Sequence, residues 1–172
     1  MKMCFIHDWL TTYGGAELVL KGLLEIWPGT PIYTLVYDQG GNCRDIIQSN
    51  QVTGSFVNNL PFAKSKHRTY LPIMPLAIEQ FDLTGYDLVI SDSHAIAKGV
   101  ITGPDQLHIS YIHTPIRYAW DLQTQYLSQA GLEKGLKGIL ARSLLHYVRL
   151  WDMRTVAGVD HYVANSQYIA RR

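Results

Sequence analysis

The chain predicts an α/β fold: a doubly wound, mostly parallel sheet with helices on both faces. Three observations carry this. Short apolar runs recur along the chain at Met3–His7, Thr30–Tyr37, Tyr86–Ile90 and Leu107–Ile112, as strands buried on both faces require. Stretches of helical period alternate with them, the pattern that builds parallel sheets. Polar clusters follow the runs, at His7-Asp8, Ser91 to His94 and His113-Thr114, and open parallel sheets hold ligands beyond the carboxyl ends of their strands.

The first unit is the clearest. Met3 to His7 is apolar, and Asp8 to Gly15 is a loop closed by Gly14 and Gly15. From Ala16 the period becomes helical, with Ala16, Val19, Leu20, Leu23 and Trp27 on one side and Glu17, Lys21 and Glu25 on the other. Two glycines let backbone N–H groups approach a ligand, and the helix behind them adds a positive N-terminal end, so the turn suits a phosphate. The competing reading is a tight strand-to-helix turn with no ligand. Neither a Gly-x-Gly-x-x-Gly fingerprint nor a Gly-x-x-x-x-Gly-Lys-Ser/Thr loop is present.

The remaining elements follow in order. Pro28-Gly29 ends the first helix, and Thr30 to Tyr37 is rich in β-branched and aromatic residues. Asp38 to Asn42 reads as a loop from which no strong amphipathic helix leaves, and Val52 to Val57 as a short strand. From Asn58 to Pro75, Leu60, Phe62, Tyr70 and Leu71 are interleaved with Lys64, Lys66 and Arg68. Such a segment touches anionic headgroups or a phosphorylated acceptor, or is a solvated basic loop. Ile73 to Phe81 and Tyr118 to Leu127 predict helices. Leu136, Leu140, Leu144, Tyr147, Val148 and Trp151 form the stripe of a long helix, with Lys137, Arg142, Arg149 and Arg154 mostly off it, and Gly158 is its stop. His161 to Ala164 is a last strand, and Asn165-Ser166 caps a final helix.

Composition narrows the classes. A length of 172 residues, 47% hydrophobic, is one domain with a real core. A net charge of +1 makes no global case for nucleic acid. Two cysteines cannot make a disulfide framework, so a reduced, cytoplasmic setting is expected. The apolar start stops at His7-Asp8, unlike a signal peptide, and no stretch approaches the roughly 18 apolar residues of a spanning helix. His and Asp residues lack metal-ligand spacing, so no metal is expected.

Four stretches together resemble a known family. They are Asp8-Trp9-Leu10 before Gly14-Gly15-Ala16-Glu17, Ser93 to Gly99 (SHAIAKG), His113 to Leu122 (HTPIRYAWDL) and Val163 to Ser166 (VANS). In this order they resemble family 4 glycosyltransferases, nearest the bacterial mannosyltransferases that build surface polysaccharides. The resemblance implies the GT-B fold, two facing Rossmann-like domains, with residues 1–172 as the N-terminal, acceptor-binding one and the C-terminal donor domain absent. It implies retaining transfer from a nucleotide-sugar co-substrate, GDP-mannose or another NDP-sugar, to a glycan or lipid-linked acceptor. No other cofactor is implied. The setting would be the cytoplasm, with peripheral contact at the inner face of the membrane.

By the same resemblance His113 faces the transferring sugar or its leaving phosphate as the catalytic residue. Gly14 and Gly15 approach the donor diphosphate, and Arg117 neutralises phosphate, which suits a guanidinium. Glu17, Ser93 and His94 complete the substrate-binding set, and Lys64, Lys66 and Arg68 are the membrane or acceptor contact. Glu17 and Glu25 have the spacing of the family's donor motif, but Lys21 lies midway between them, as in an ordinary charge ladder. Two other readings stay open: a non-catalytic Rossmann-like module that binds a phosphorylated ligand, and a nicotinamide oxidoreductase domain. The missing third glycine weighs against the second, and Asp38 beyond the second strand is its remaining support.

Overall fold

The computed structural model describes all of residues Met1–Arg172. Six strands form one sheet, all of them parallel, in the order β3-β2-β1-β4-β5-β6. In chain order these are β1 (Met3–Leu10), β2 (Ile32–Tyr37), β3 (Val52–Gly54), β4 (Leu88–Ser93), β5 (Leu107–Ile112) and β6 (His161–Ala164). The chain winds outward from β1 to β3, returns to the centre at β4, and winds the other way to β6. Strand order therefore reverses between β1 and β4, and the crevice beyond their carboxyl ends is where such sheets hold ligands. The fold is Rossmann-like.

Helices cover both faces: α1 (Gly15–Ile26), α2 (Arg44–Ser49), α3 (Ala63–Lys66), α4 (Met74–Glu79), α5 (Gln123–Gln129), α6 (Gly135–Thr155) and α7 (Gln167–Ala170). Alternation along the strands divides the core in two. On one face Phe5, Ile32 and Ile90 meet Leu20 and Leu24 of α1 and Ile46 and Ile47 of α2. On the other, Cys4, Ile6 and Val89 meet Met74 and Ile78 of α4 and Val148 and Trp151 of α6. Gly99 is required there, because a Cβ on it would overlap the Trp151 indole.

Several expectations are corrected. β1 continues through Leu10, paired with Tyr37 of β2, so His7 and Asp8 lie inside the strand and are fully buried. β3 stops at Gly54, and a 3-10 turn over Phe56–Asn59 takes the residues expected to extend it. The Asp38–Asn42 turn leads into a short helix, α2, which has only six residues, too few to show a strong amphipathic period. The segment from 118 to 122 is turns, and the helix expected there begins at Gln123. Leu136 and Leu140 lie on the expected helix, α6, but are 85% and 61% exposed. Periodicity marks an apolar face but does not say that anything covers it.

Residues 58–75 are not a plain loop either. They form α3 and a 3-10 segment over His67–Ile73. Leu60, Tyr70 and Leu71 pack against the core and are not free to insert into lipid. Phe62 alone of the four is exposed, at 75%.

Candidate functional site

The carboxyl edge of β1, β4 and β5 assembles a buried relay. Register places His7 beside Asp92 across β1 and β4, and Asp92 beside Tyr111 across β4 and β5. His113 follows β5 at once, on the α1 side of the sheet by alternation. Asp92, with no exposure, lies between two imidazoles: His7 Nδ1 is 3.0 Å from one carboxylate oxygen and His113 Nε2 is 2.5 Å from the other. On its far side, His7 Nε2 is 3.5 Å from Glu17 Oε1. The chain Glu17–His7–Asp92–His113 thus runs from the first turn of α1 to the rim.

Its electrostatics follow from two carboxylates around one ring. Burial alone would keep His7 neutral, but the hydrogen bonds and charges of Asp92 and Glu17 outweigh it and raise the imidazole to about 10. His7 is therefore an imidazolium at neutral pH. In return, and against their own burial, hydrogen bonds and charge from the histidines hold Asp92 and Glu17 below the ordinary carboxylate values. An ionised Asp92 accepts the proton on His113 Nε2, which leaves Nδ1 without a protein partner. His113 is the member that meets the rim, its side chain 12% exposed.

Glu17 was expected on the outer face of α1, and there the expectation fails. It is 4% exposed, because α1 begins directly over the end of β1 and its first turn faces the sheet. Its carboxylate also accepts from Gly14 N–H at 2.8 Å, as the return arm of a capping box does. That N–H, expected to meet a ligand phosphate, already has an internal anion. Gly15 is different: a Cβ there would meet nothing within 4 Å, so steric need does not explain a glycine at this position.

A second anchor fixes the loop after β4. Asp8 accepts from four successive backbone N–H groups, those of His94, Ala95, Ile96 and Ala97, at 2.5–2.9 Å. The carboxylate does for this loop what an N-terminal cap does for a helix. His94 Nδ1 is 3.1 Å from Asp8, and its ring meets Trp9 edge-on with centroids 4.6 Å apart. Burial nevertheless holds the imidazole below its usual value, the Asp8 charge offsetting only part of it. Trp9 also lies against His67, a buried histidine whose ring nitrogens have no partner and which burial lowers to about 4.

Ser93 shares the edge but not the face. One residue past Asp92, it points to the α6 side and accepts from Lys98 N at 3.3 Å. There it lines a cavity of about 770 Å³ together with Lys98, Thr114, Trp120, Asp152 and Tyr162. Lys98 is buried and paired with Asp152 at 2.7 Å, and Trp120 Nε1 donates to the same carboxylate at 2.8 Å. Arg117 is exposed and stands outside this cavity. Lys64, Lys66 and Arg68 are likewise exposed, Lys64 at 3.8 Å from Asp38 and Lys66 over the Phe62 ring.

The expected residues are thus distributed over two faces of one edge. His113 and Glu17 belong to the relay, His94 to the Asp8 anchor and Ser93 to the cavity. No family model, curated protein or solved structure matches the chain. The fold and this geometry stand by themselves. Sequence reading passed over Asp92, the hub of the relay, although it sits inside the Ser91–His94 cluster. A carboxylate flanked by serines at a strand end was the available signal, and only pairing reveals that it joins two histidines. Asp152, directly after the last residue of the apolar stripe, offered none.

Proposed function

We propose that the chain is the acceptor-side domain of a retaining nucleotide-sugar glycosyltransferase of the GT-B type, acting in mannosyl transfer for surface polysaccharide. The supporting observation is the His113–Asp92 pair at the carboxyl end of β5, beside the point where strand order reverses. The reaction class comes from the ordered series of motifs that resembles those of family 4 enzymes. Asp92 fixes the His113 ring through Nε2 and directs Nδ1 outward, where it meets the transferring sugar or the departing phosphate. His113 positions and stabilises charge, and the leaving phosphate takes the acceptor's proton, so no side chain is assigned as general base. Gly15 remains the place where a diphosphate meets the start of α1. A donor domain following this one in the same chain completes the cleft.

Nucleotide-sugar turnover tests this. The complete gene product, offered GDP-mannose and related nucleotide sugars with a membrane lipid extract, should release nucleoside diphosphate and label the lipid fraction. Residues 1–172 alone should turn over none, because the donor groups must be brought to the cleft. His113→Ala in the complete product should abolish labelling while the fold persists. A complete product with no second nucleotide-binding domain, inert towards every nucleotide sugar, would overturn the reading.

A further inference from the structure

We infer that the cavity on the α6 side of the carboxyl edge binds an uncharged, mostly apolar ligand that carries a hydroxyl or carbonyl group. Its volume of about 770 Å³, beyond the ends of β4, β5 and β6, is in the range of pockets that hold small molecules. The apolar walls come from elements far apart in sequence: Ile112 of β5 and Ile116 beyond it, Met153 and Val156 of α6, Tyr162 of β6 and Ile169 of α7. Met153, Val156 and Tyr162 are exposed. Large apolar side chains that converge on a hollow without filling it mark a binding surface.

The polar groups of the lining decide the charge of what enters. Lys98 Nζ lies 2.7 Å from Asp152 Oδ1, 2.7 Å from Thr155 Oγ1 and 3.0 Å from the Asp152 carbonyl, an oxygen for each of its hydrogens. The other Asp152 carboxylate oxygen accepts from Trp120 Nε1 at 2.8 Å. At the mouth Arg172 is paired with Asp121. Every cation of the lining is thus matched by an anion, so an ionised ligand would lose its hydration and gain no free counter-charge. Neutral hydrogen-bonding capacity is left over. Ser93, 2% exposed, accepts from Lys98 N–H at 3.3 Å, while its own hydrogen has no protein acceptor. Thr114 and Tyr162 give their hydrogens to backbone carbonyls and keep lone pairs that can accept. A donor and two acceptors among apolar walls fit a hydroxyl or a carbonyl on an apolar body. The inference stands apart from the sugar-transfer reading, because it needs no nucleotide sugar and is tested by binding alone.

Isothermal titration with naphthalene probes decides it, on the chain and on its complete gene product. The probes are 2-naphthol, naphthalene, naphthalene-2-sulfonate and 2-naphthylmethylammonium. Both proteins should bind 2-naphthol, and amide shifts in the chain's NMR spectrum should gather around Thr114 to Asp121, β6 and α7. The sulfonate and the ammonium probe should bind about tenfold more weakly, or less well still. Ser93→Ala should weaken 2-naphthol about threefold to tenfold and leave naphthalene unchanged, since only the hydroxyl uses that donor. Ala170→Trp, at an exposed position of the lining, should weaken both uncharged probes about tenfold by filling the hollow, with an unchanged circular dichroism spectrum. Any of the following would overturn the inference: no binding of 2-naphthol; equal or tighter binding of a charged probe; an equal effect of Ser93→Ala on 2-naphthol and naphthalene; binding untouched by Ala170→Trp; or binding to the chain but not to the complete product, which would mean that another part of the protein covers the cavity.

Discussion

Asp92 holds His7 and His113 on its two carboxylate oxygens, at 3.0 and 2.5 Å, so that a residue sealed in the sheet sets the ring orientation of one at the rim. A buried carboxylate between two histidines must stay ionised to serve both. The positive charge on His7 is what makes that possible.

This relay makes stability depend on pH in a definite direction. His7 is raised to about 10 in the folded chain, above the roughly 6.5 of an unfolded histidine. Its contribution is therefore complete below about 6.5 and is lost as pH rises towards 10. Urea unfolding at a series of pH values across that window should show falling stability. Asp92→Asn removes a carboxylate that holds the proton, so it should lower stability at neutral pH and flatten the decline. An equally steep decline in the variant would mean that another group titrates.

Acid acts on the opposite partners. Asp92 and Glu17 are held low, so their contribution is present above the ordinary carboxylate range and is lost as pH falls through their folded values. Glu17→Gln should bring the acid unfolding midpoint, followed by tryptophan fluorescence, to a higher pH. An unchanged midpoint would remove Glu17 from the relay.

Asp8 should be among the most sensitive positions in the chain. Asp8→Ala leaves four backbone N–H groups without their acceptor in a buried loop. A loss of about 3 kcal/mol or more in chemical denaturation is expected. Asp8→Asn, which keeps an oxygen, should lose less. Equal losses would show that the charge, and not the oxygen's position, carries the anchor.

Two glycines should behave in opposite ways. Gly99→Ala drives a methyl into Trp151 and should cost about 1–3 kcal/mol, with the indole fluorescence shifted. Gly15→Ala meets open space in the first turn of α1 and should leave stability level or slightly raised. If Gly15 is where a diphosphate approaches, the same variant in the complete product should raise KM for the nucleotide sugar. An unchanged KM would reduce Gly15 to a turn residue.

The ion pair beneath the cavity offers a further check. Lys98→Met leaves Asp152 buried with Trp120 as its remaining side-chain donor, and should cost about 3–5 kcal/mol. Added salt should not mimic the effect, since a buried pair is screened little. A variant as stable as the parent in thermal unfolding would show that water enters the site freely.

Sequence by itself determined the parallel sheet, the order of its elements and the edge at which polar residues collect. Those properties are written in period: a run such as Leu88 to Ile90 is apolar at every position because both faces are covered. The same local signal placed His113 at a strand end and Ser166 at a helix start, where its side chain accepts from Ile169 N–H. What only the tertiary structure decided is which of those residues touch. Glu17 looked like one step of a surface charge ladder until α1 was laid over the end of β1. Asp92 and Ser93 are neighbours in the chain yet serve opposite faces, and Asp92 reaches His7 across 85 positions of sequence. Leu136 and Leu140 carried the same periodic mark as Val148, and only packing showed which of them is covered. Periodicity reports the environment a residue prefers, whereas pairing across strands and the path of a crossover choose its partners, and those lie far away along the chain.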